Sequence, residues 1–252
     1  MKTLVVIASS VLILLLSPAA LAAPVVFEAA GATAADIQGS VDDFRDFLGP
    51  LNPNAIGSFP SGRREINWDA VPDAFSAPNA LPAGFFNANS PRGVVFFTPG
   101  SGFLVSADSA NPTNTPVLFG NLQPAFPVRF RAFSPERIFT AVGSNVVENL
   151  FFVPGSTDPA TVTGFGVVFT DVNRADSTKI EFLNARGNVF FSKNVLPGGA
   201  QAGTFSFLGV AFDAGERAYM VRITSGNRAP LAPARDVVMM DDFIYSEPQP
   251  VP

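Results

Sequence analysis

The chain has 252 residues, with 21 acidic against 16 basic side chains and neither histidine nor cysteine. Without cysteine there is no disulfide, thiolate nucleophile or Cys-ligated metal site, and without histidine the usual general base near neutral pH and the commonest transition-metal ligand are missing. Ser-His-Asp triads, Cys-His dyads and His/Cys zinc centres are therefore excluded, leaving chemistry that runs on carboxylates, oxygen ligands and backbone groups.

Taken from the N-terminus, Lys2 precedes an apolar run from Leu4 to Leu16, Pro18 breaks it, and Ala20-Leu21-Ala22 offers a small-residue cleavage site. That order reads as a secretory signal over residues 1–22, too short to span a bilayer, with cleavage expected after Ala22. Its removal leaves 15 basic against 21 acidic residues, a formal charge of −6. An acidic surface of this kind disfavours nucleic acid and anionic lipid as partners. No second apolar stretch of membrane length follows, so the mature chain is expected outside the cytoplasm, secreted or periplasmic, with no membrane insertion.

Residues 23–62 are expected to carry one helix. Thr33 and Asp36 have capping-box spacing, Ile37, Val41, Phe44 and Leu48 recur at helical intervals, and Gly49-Pro50 ends the run. From residue 63 to 247 the pattern is strand and turn. Val128, Phe130 and Ala132 alternate with Arg129 and Arg131, and Tyr219, Val221 and Ile223 with Arg222 and Thr224, as in half-wet antiparallel strands. Further β-rich runs, spaced by Pro-Gly, Asn-Ala-Arg-Gly-Asn and Pro-Gly-Gly turns, bring the total to about a dozen, which predicts a jelly-roll-like antiparallel β-sandwich, with a barrel as the alternative. Phe85-Phe86, Phe96-Phe97, Phe151-Phe152 and Phe190-Phe191 should each place one ring in the core and one on the outer face. Residues 248–252 read as a stiff Pro-rich tail.

Three polar constellations stand out. In Arg64-Glu65-Ile66-Asn67-Trp68-Asp69, strand geometry puts Glu65, Asn67 and Asp69 on one face, where they could bond sugar hydroxyls or hold a hard cation, with Trp68 fixed behind them. Asp171, Asn173 and Asp176 share one inter-strand loop and are candidate Ca²⁺ ligands, although the Gly and distal Glu of an EF-hand loop are missing. The neighbouring carboxylates Asp241 and Asp242 are expected to face opposite ways, one on a core-facing register that needs an Arg, a cation or backbone donors.

The segments Gly164–Asp171, Lys179–Asn188 and Phe205–Val210 and the ending Met240-Asp-Asp-Phe-Ile-Tyr245 resemble a set of uncharacterised exported bacterial β-sandwich proteins, some of which carry a PEP-CTERM sorting tail. The likeness spans roughly residues 40–247. It implies a jelly-roll sandwich and export, and no activity. After Glu247-Pro248 the hydrophobic helix and basic cluster of the sorted members do not follow, so sorting by that route is not expected.

Two functions fit these readings. A non-catalytic binding, adhesion or extracellular-matrix module would meet an extracellular glycan or cell-surface component at Glu65, Asn67 and Asp69. A carbohydrate-active enzyme would need only two suitably spaced carboxylates. A groove with two converging carboxylates, one of them buried with a raised pKa, is what distinguishes the second from the first.

Overall fold

The computed structural model describes residues 23–230 and 236–251; the expected secretory signal lies outside them. In chain order the strands are β1 (Val25–Gly31), β2 (Arg63–Ile66), β3 (Val94–Phe97), β4 (Gly102–Val105), β5 (Phe139–Val142), β6 (Val146–Phe151), β7 (Ala160–Thr161), β8 (Gly164–Thr170), β9 (Lys179–Leu183), β10 (Val189–Asn194), β11 (Phe205–Ala211), β12 (Met220–Thr224), β13 (Met239–Ser246) and β14 (Gln249–Pro250). The helices are α1 (Ala34–Leu48) and the single turns α2 (Phe85–Ala88) and α3 (Phe126–Arg129). One sheet runs β1-β11-β8-β13-β5-β4, with β2 also paired to β13, and the other runs β10-β9-β12-β6-β3. Strand accounts for 35% of the described residues and helix for 12%, which makes it the all-β sandwich that the period-two runs predict.

Each sheet contributes alternate residues to the core between them. Phe165, Val167 and Phe169 of β8, Leu208 and Val210 of β11, and Phe243 and Tyr245 of β13 pack toward Val147 and Phe151 of β6, Ile180 and Phe182 of β9, and Val221 and Ile223 of β12. Trp68 stacks on Phe139 with ring centroids 4.1 Å apart and donates its indole N–H to the carbonyl of Asp241 at 2.9 Å. Its large apolar surface and its single donor are therefore both satisfied in the core.

The outer face of the seven-stranded sheet is covered twice. Helix α1 starts where expected: the Asp36 carboxylate accepts the Thr33 N–H at 2.8 Å and the Thr33 hydroxyl at 2.9 Å, bonds that also hold its pKa below the usual value. Its stripe Ile37, Val41 and Phe44 is buried against Val168, Phe205, Phe207 and Ile244. The Phe44 ring rests on the cross-strand pair Gly166 and Gly209, where a Cβ would come within 2.7 and 2.8 Å of it. Beside the helix, Phe119, Phe126 and Phe130 cover Leu104, Ile138 and Met239.

Four readings change in the folded chain. Val128, Phe130 and Ala132 do not lie on a strand: α3 brings Phe126 and Phe130 together at 5.0 Å with Val128 exposed, because their i, i+4 spacing buries both rings. Phe85 and Phe86 sit on the turn α2, and both are buried, whereas Phe96 is buried and Phe97 exposed as expected. The segment before the helix is itself strand β1, paired along its whole length with β11. In the tail, Gln249 and Pro250 pair with Thr161 and Ala160.

Candidate functional site

The site forms at the seam between the two covers, on the outer face of β2 and β13. Along residues 63–69 Arg64, Ile66 and Trp68 are buried, Glu65 and Asp69 are partly buried and Asn67 is exposed; the strand itself ends at Ile66, and Trp68 turns inward from a left-handed backbone at φ 67°. That outward face is not an open wet surface, because Arg45 reaches over it from α1. Arg45 of the helix donates to both Glu65 oxygens, Nε at 3.1 Å and Nη2 at 2.9 Å, and Arg63 adds a third bond at 2.6 Å. Asn67 remains exposed. Asp69 is partly buried, accepts the backbone N–H of Arg137 at 3.1 Å, and has its pKa raised by burial and by the nearby Asp242 charge.

Asp241 and Asp242 are the main departure. The pairing of β13 with β8 slips between Met240 and Phe243, so Met240 and Phe243 both face the core and the two aspartates share the outer face. A bulge of this kind sets two residues against one and removes the alternation that would have opposed them. The Ser134 hydroxyl bonds both carboxylates, at 3.1 Å to Asp241 and 2.6 Å to Asp242. The Phe133 N–H reaches Asp241 at 2.6 Å, and Arg45 Nη2 reaches Asp242 at 3.1 Å. Burial and the adjoining Asp242 charge push the Asp241 carboxyl well above the ordinary range. Burial also raises Asp242, against the pull of Ser134 and Arg45. The two carboxyls thus form a protonatable pair at the base of the seam.

Two adjoining depressions open here. A polar cleft of about 560 Å³ is lined by Arg45, Glu65, Ser134 and Asp242 with Asn52, Asn54, Asn67 and Arg92. The second, about 300 Å³, is bordered by Ala70, Val71 and Pro72 and by the edges of the buried rings Trp68, Phe85 and Phe86, at most 6% exposed, and shares Asn54, Asn67 and Arg92 with the first. The two depressions adjoin along these three shared side chains, and hydrogen-bonding groups dominate the first. Glu65 and Asp242 both bond the same Arg45 nitrogen, so the guanidinium stands between the two carboxylates.

The second constellation is divided. Asp171 is buried and ion-paired with Arg129 at 2.5 Å, and burial raises its pKa against that charge. Asn173 lies within 3.3 Å of it. Asp176 is exposed and makes no hydrogen bond or ion pair among the described residues. Within the same residues no group of three or more Asp, Glu, His or Cys side chains is placed to hold a metal.

Sequence reading missed Arg45, Ser134 and Arg92. Arg45 carries the one available signal, a cation on the α1 flank beside an apolar stripe. Ser134 carries none, since its role depends on a loop crossing β13 more than 100 residues away in sequence. Among the described residues no helix is long and apolar enough to cross a membrane. No family model, curated protein or solved structure matches the chain, so the groove has to be read from its own chemistry.

Proposed function

We propose that the chain is an exported glycan-binding module whose ligand occupies the groove between α1 and the loop carrying Asn52 and Asn54. The observation that carries this reading is the set of fixed donors and acceptors, Arg45, Glu65, Asn52, Asn54 and Asn67, that line one polar cleft. Sugars present several hydroxyls at their edges, and a cleft rich in amide and guanidinium groups matches them. Arg45 and Glu65 hold each other in place, so their outward lone pairs and N–H groups need little ordering on binding. Export rests on the Lys2, Leu4–Leu16 and Ala20-Leu21-Ala22 pattern.

The test is a glycan array on the mature protein, followed by the double substitution Asn54→Ala, Asn67→Ala, which removes two exposed side chains. An affinity loss of at least about tenfold is expected, the loss of one to two hydrogen bonds. Absence of any glycan ligand, or unchanged affinity in the folded variant, would overturn the proposal.

A second reading, carbohydrate hydrolysis, is favoured by one observation: the buried Asp242, with its raised pKa, is a neighbour of Glu65 in the cleft. Arg45 argues against it, because a glycosidic oxygen would have to displace the guanidinium that bonds both carboxylates. Turnover of any polysaccharide by the purified protein, abolished by Asp242→Asn, would establish hydrolysis over binding.

A further inference from the structure

Asp171 follows β8 directly, and Asp236 lies just ahead of β13, the neighbouring strand in the same sheet. Pairing of Met239 with Thr170 brings the two ends together. Asp236 is fully buried, yet its Oδ2 has no hydrogen-bond partner, and no ion pair reaches it among the described residues. The nearest donor to its other oxygen is the Asn173 side-chain amide at 3.4 Å, and the same amide nitrogen lies 3.3 Å from Asp171 Oδ2. Asn173 Oδ1, in turn, is buried with no donor. An enclosed carboxylate with one long contact is a costly arrangement unless a charge of opposite sign completes it.

The orientation of the Asn173 amide decides what can complete it. Rotating that amide by a half turn exchanges its nitrogen and oxygen. Asn173 Oδ1 then lies about 3.3 Å from Asp171 Oδ2 and 3.4 Å from Asp236 Oδ1, the separations now spanned by its nitrogen. Oxygen ligands at right angles on Ca²⁺, at about 2.4 Å each, lie about 3.4 Å apart, and on Mg²⁺, at about 2.05 Å, about 2.9 Å apart. Both separations fit the larger ion. The set contains only oxygen, as a hard cation requires.

We infer that Asp171, Asn173 and Asp236 form a calcium site that ties the loop after β8 to the segment entering β13. Arg129 is the counter-charge at Asp171 when calcium is absent; its side chain is 30% exposed and turns outward as the ion binds. Asp176, on the exposed part of the same loop, takes no part. The inference is independent of the glycan reading, since the groove and this end of the sheet share no residue.

The experiment uses chelator-treated mature protein, titrated with Ca²⁺ by calorimetry and melted in millimolar Ca²⁺, in Mg²⁺ and in EGTA. Saturable heat is expected, with a midpoint raised by several degrees in Ca²⁺ and less in Mg²⁺, because an ion that binds only the native state stabilises it by mass action. Asp236→Asn and, as a variant at a partly buried position, Asn173→Ala should each weaken Ca²⁺ binding at least about tenfold, whereas Asp176→Asn should leave it unchanged. Equal midpoints and no heat in the wild type would mean water fills the gap and would overturn the inference. So would Ca²⁺ binding that survives Asn173→Ala or is lost in Asp176→Asn.

Discussion

On the outer face of the five-stranded sheet, Arg222 of β12 sits directly opposite Glu148 of β6 and bonds it at 2.8 Å, and Lys179 and Glu181 continue the charged row on β9 at 3.0 Å. On the outer face of the seven-stranded sheet, Arg45, Glu65, Asp241 and Asp242 form a comparable network under a helix and a loop. The side chains of Arg222 and Lys179 are a third exposed or more and their partners Glu148 and Glu181 18% and 14%, while Asp242 retains 3% of its side-chain surface. The same residue types are thus a screened, weakly coupled surface ladder in one place and a desolvated, titration-shifted cluster in the other. Solvent access makes the difference: attraction and desolvation both grow as water is excluded, so only the covered face can hold a carboxyl pair near a shared proton.

Removing the cover should have the largest effect. Phe44→Ala deletes the ring that fills the socket over Gly166 and Gly209, and a stability loss of about 3–5 kcal/mol is expected, measured by urea denaturation. A loss below about 1 kcal/mol would show that α1 is held by something other than its apolar stripe. Gly209→Ala tests the same contact from beneath. A Cβ there falls 2.8 Å from Phe44 Cγ, and overpacking of this kind costs about 1–3 kcal/mol; an unchanged midpoint would mean that the ring moves aside freely.

The third test is pH. Asp241 and Asp242 have folded-state pKa values above their unfolded ones, so between the two values the native state binds more protons than the unfolded chain. Stability should therefore be highest below the unfolded value, near 4, and fall as pH rises toward the raised pKa, by about 1.4 kcal/mol for each pH step of one between the two values. Melting midpoints measured from pH 5 to 8 should decline, and Asp241→Asn should flatten the decline. An equal slope in wild type and variant would remove the pair as its source. The smallest effect belongs to the open face: Arg222→Ala is expected to change stability by about 0–1 kcal/mol, less at high salt. A larger loss would put the two faces on the same footing.

Local signals were enough for much of this architecture. The period-two runs at Lys179–Leu183 and Met220–Thr224 became strands because side chains alternate across any half-buried strand. Helix α1 was equally plain, since cap and stripe lie within one short segment. Strand β1 was less visible: Val25-Val26-Phe27 is followed by Glu28-Ala29-Ala30, too weak an alternation to mark a strand until β11 supplies its partner. The run 128–132 misled for the opposite reason, since its alternation is real in sequence but i, i+4 burial of Phe126 and Phe130 outweighs it.

What the sequence determined by itself is the all-β class and the α1 start and stop, because each depends on neighbours within a few residues, whereas Trp68 is buried beyond the end of β2 on a left-handed backbone that strand alternation does not supply. Only the tertiary structure decided that Arg45 crosses to Glu65 and Asp242, that a bulge turns Asp241 and Asp242 to one side around Ser134, and that Asp236 rather than Asp176 joins Asp171 and Asn173. Those outcomes rest on strand register and on covers brought from distant parts of the chain. A one-residue slip in pairing reverses which face a side chain occupies, and nothing within the dipeptide Asp241-Asp242 records where that slip occurs.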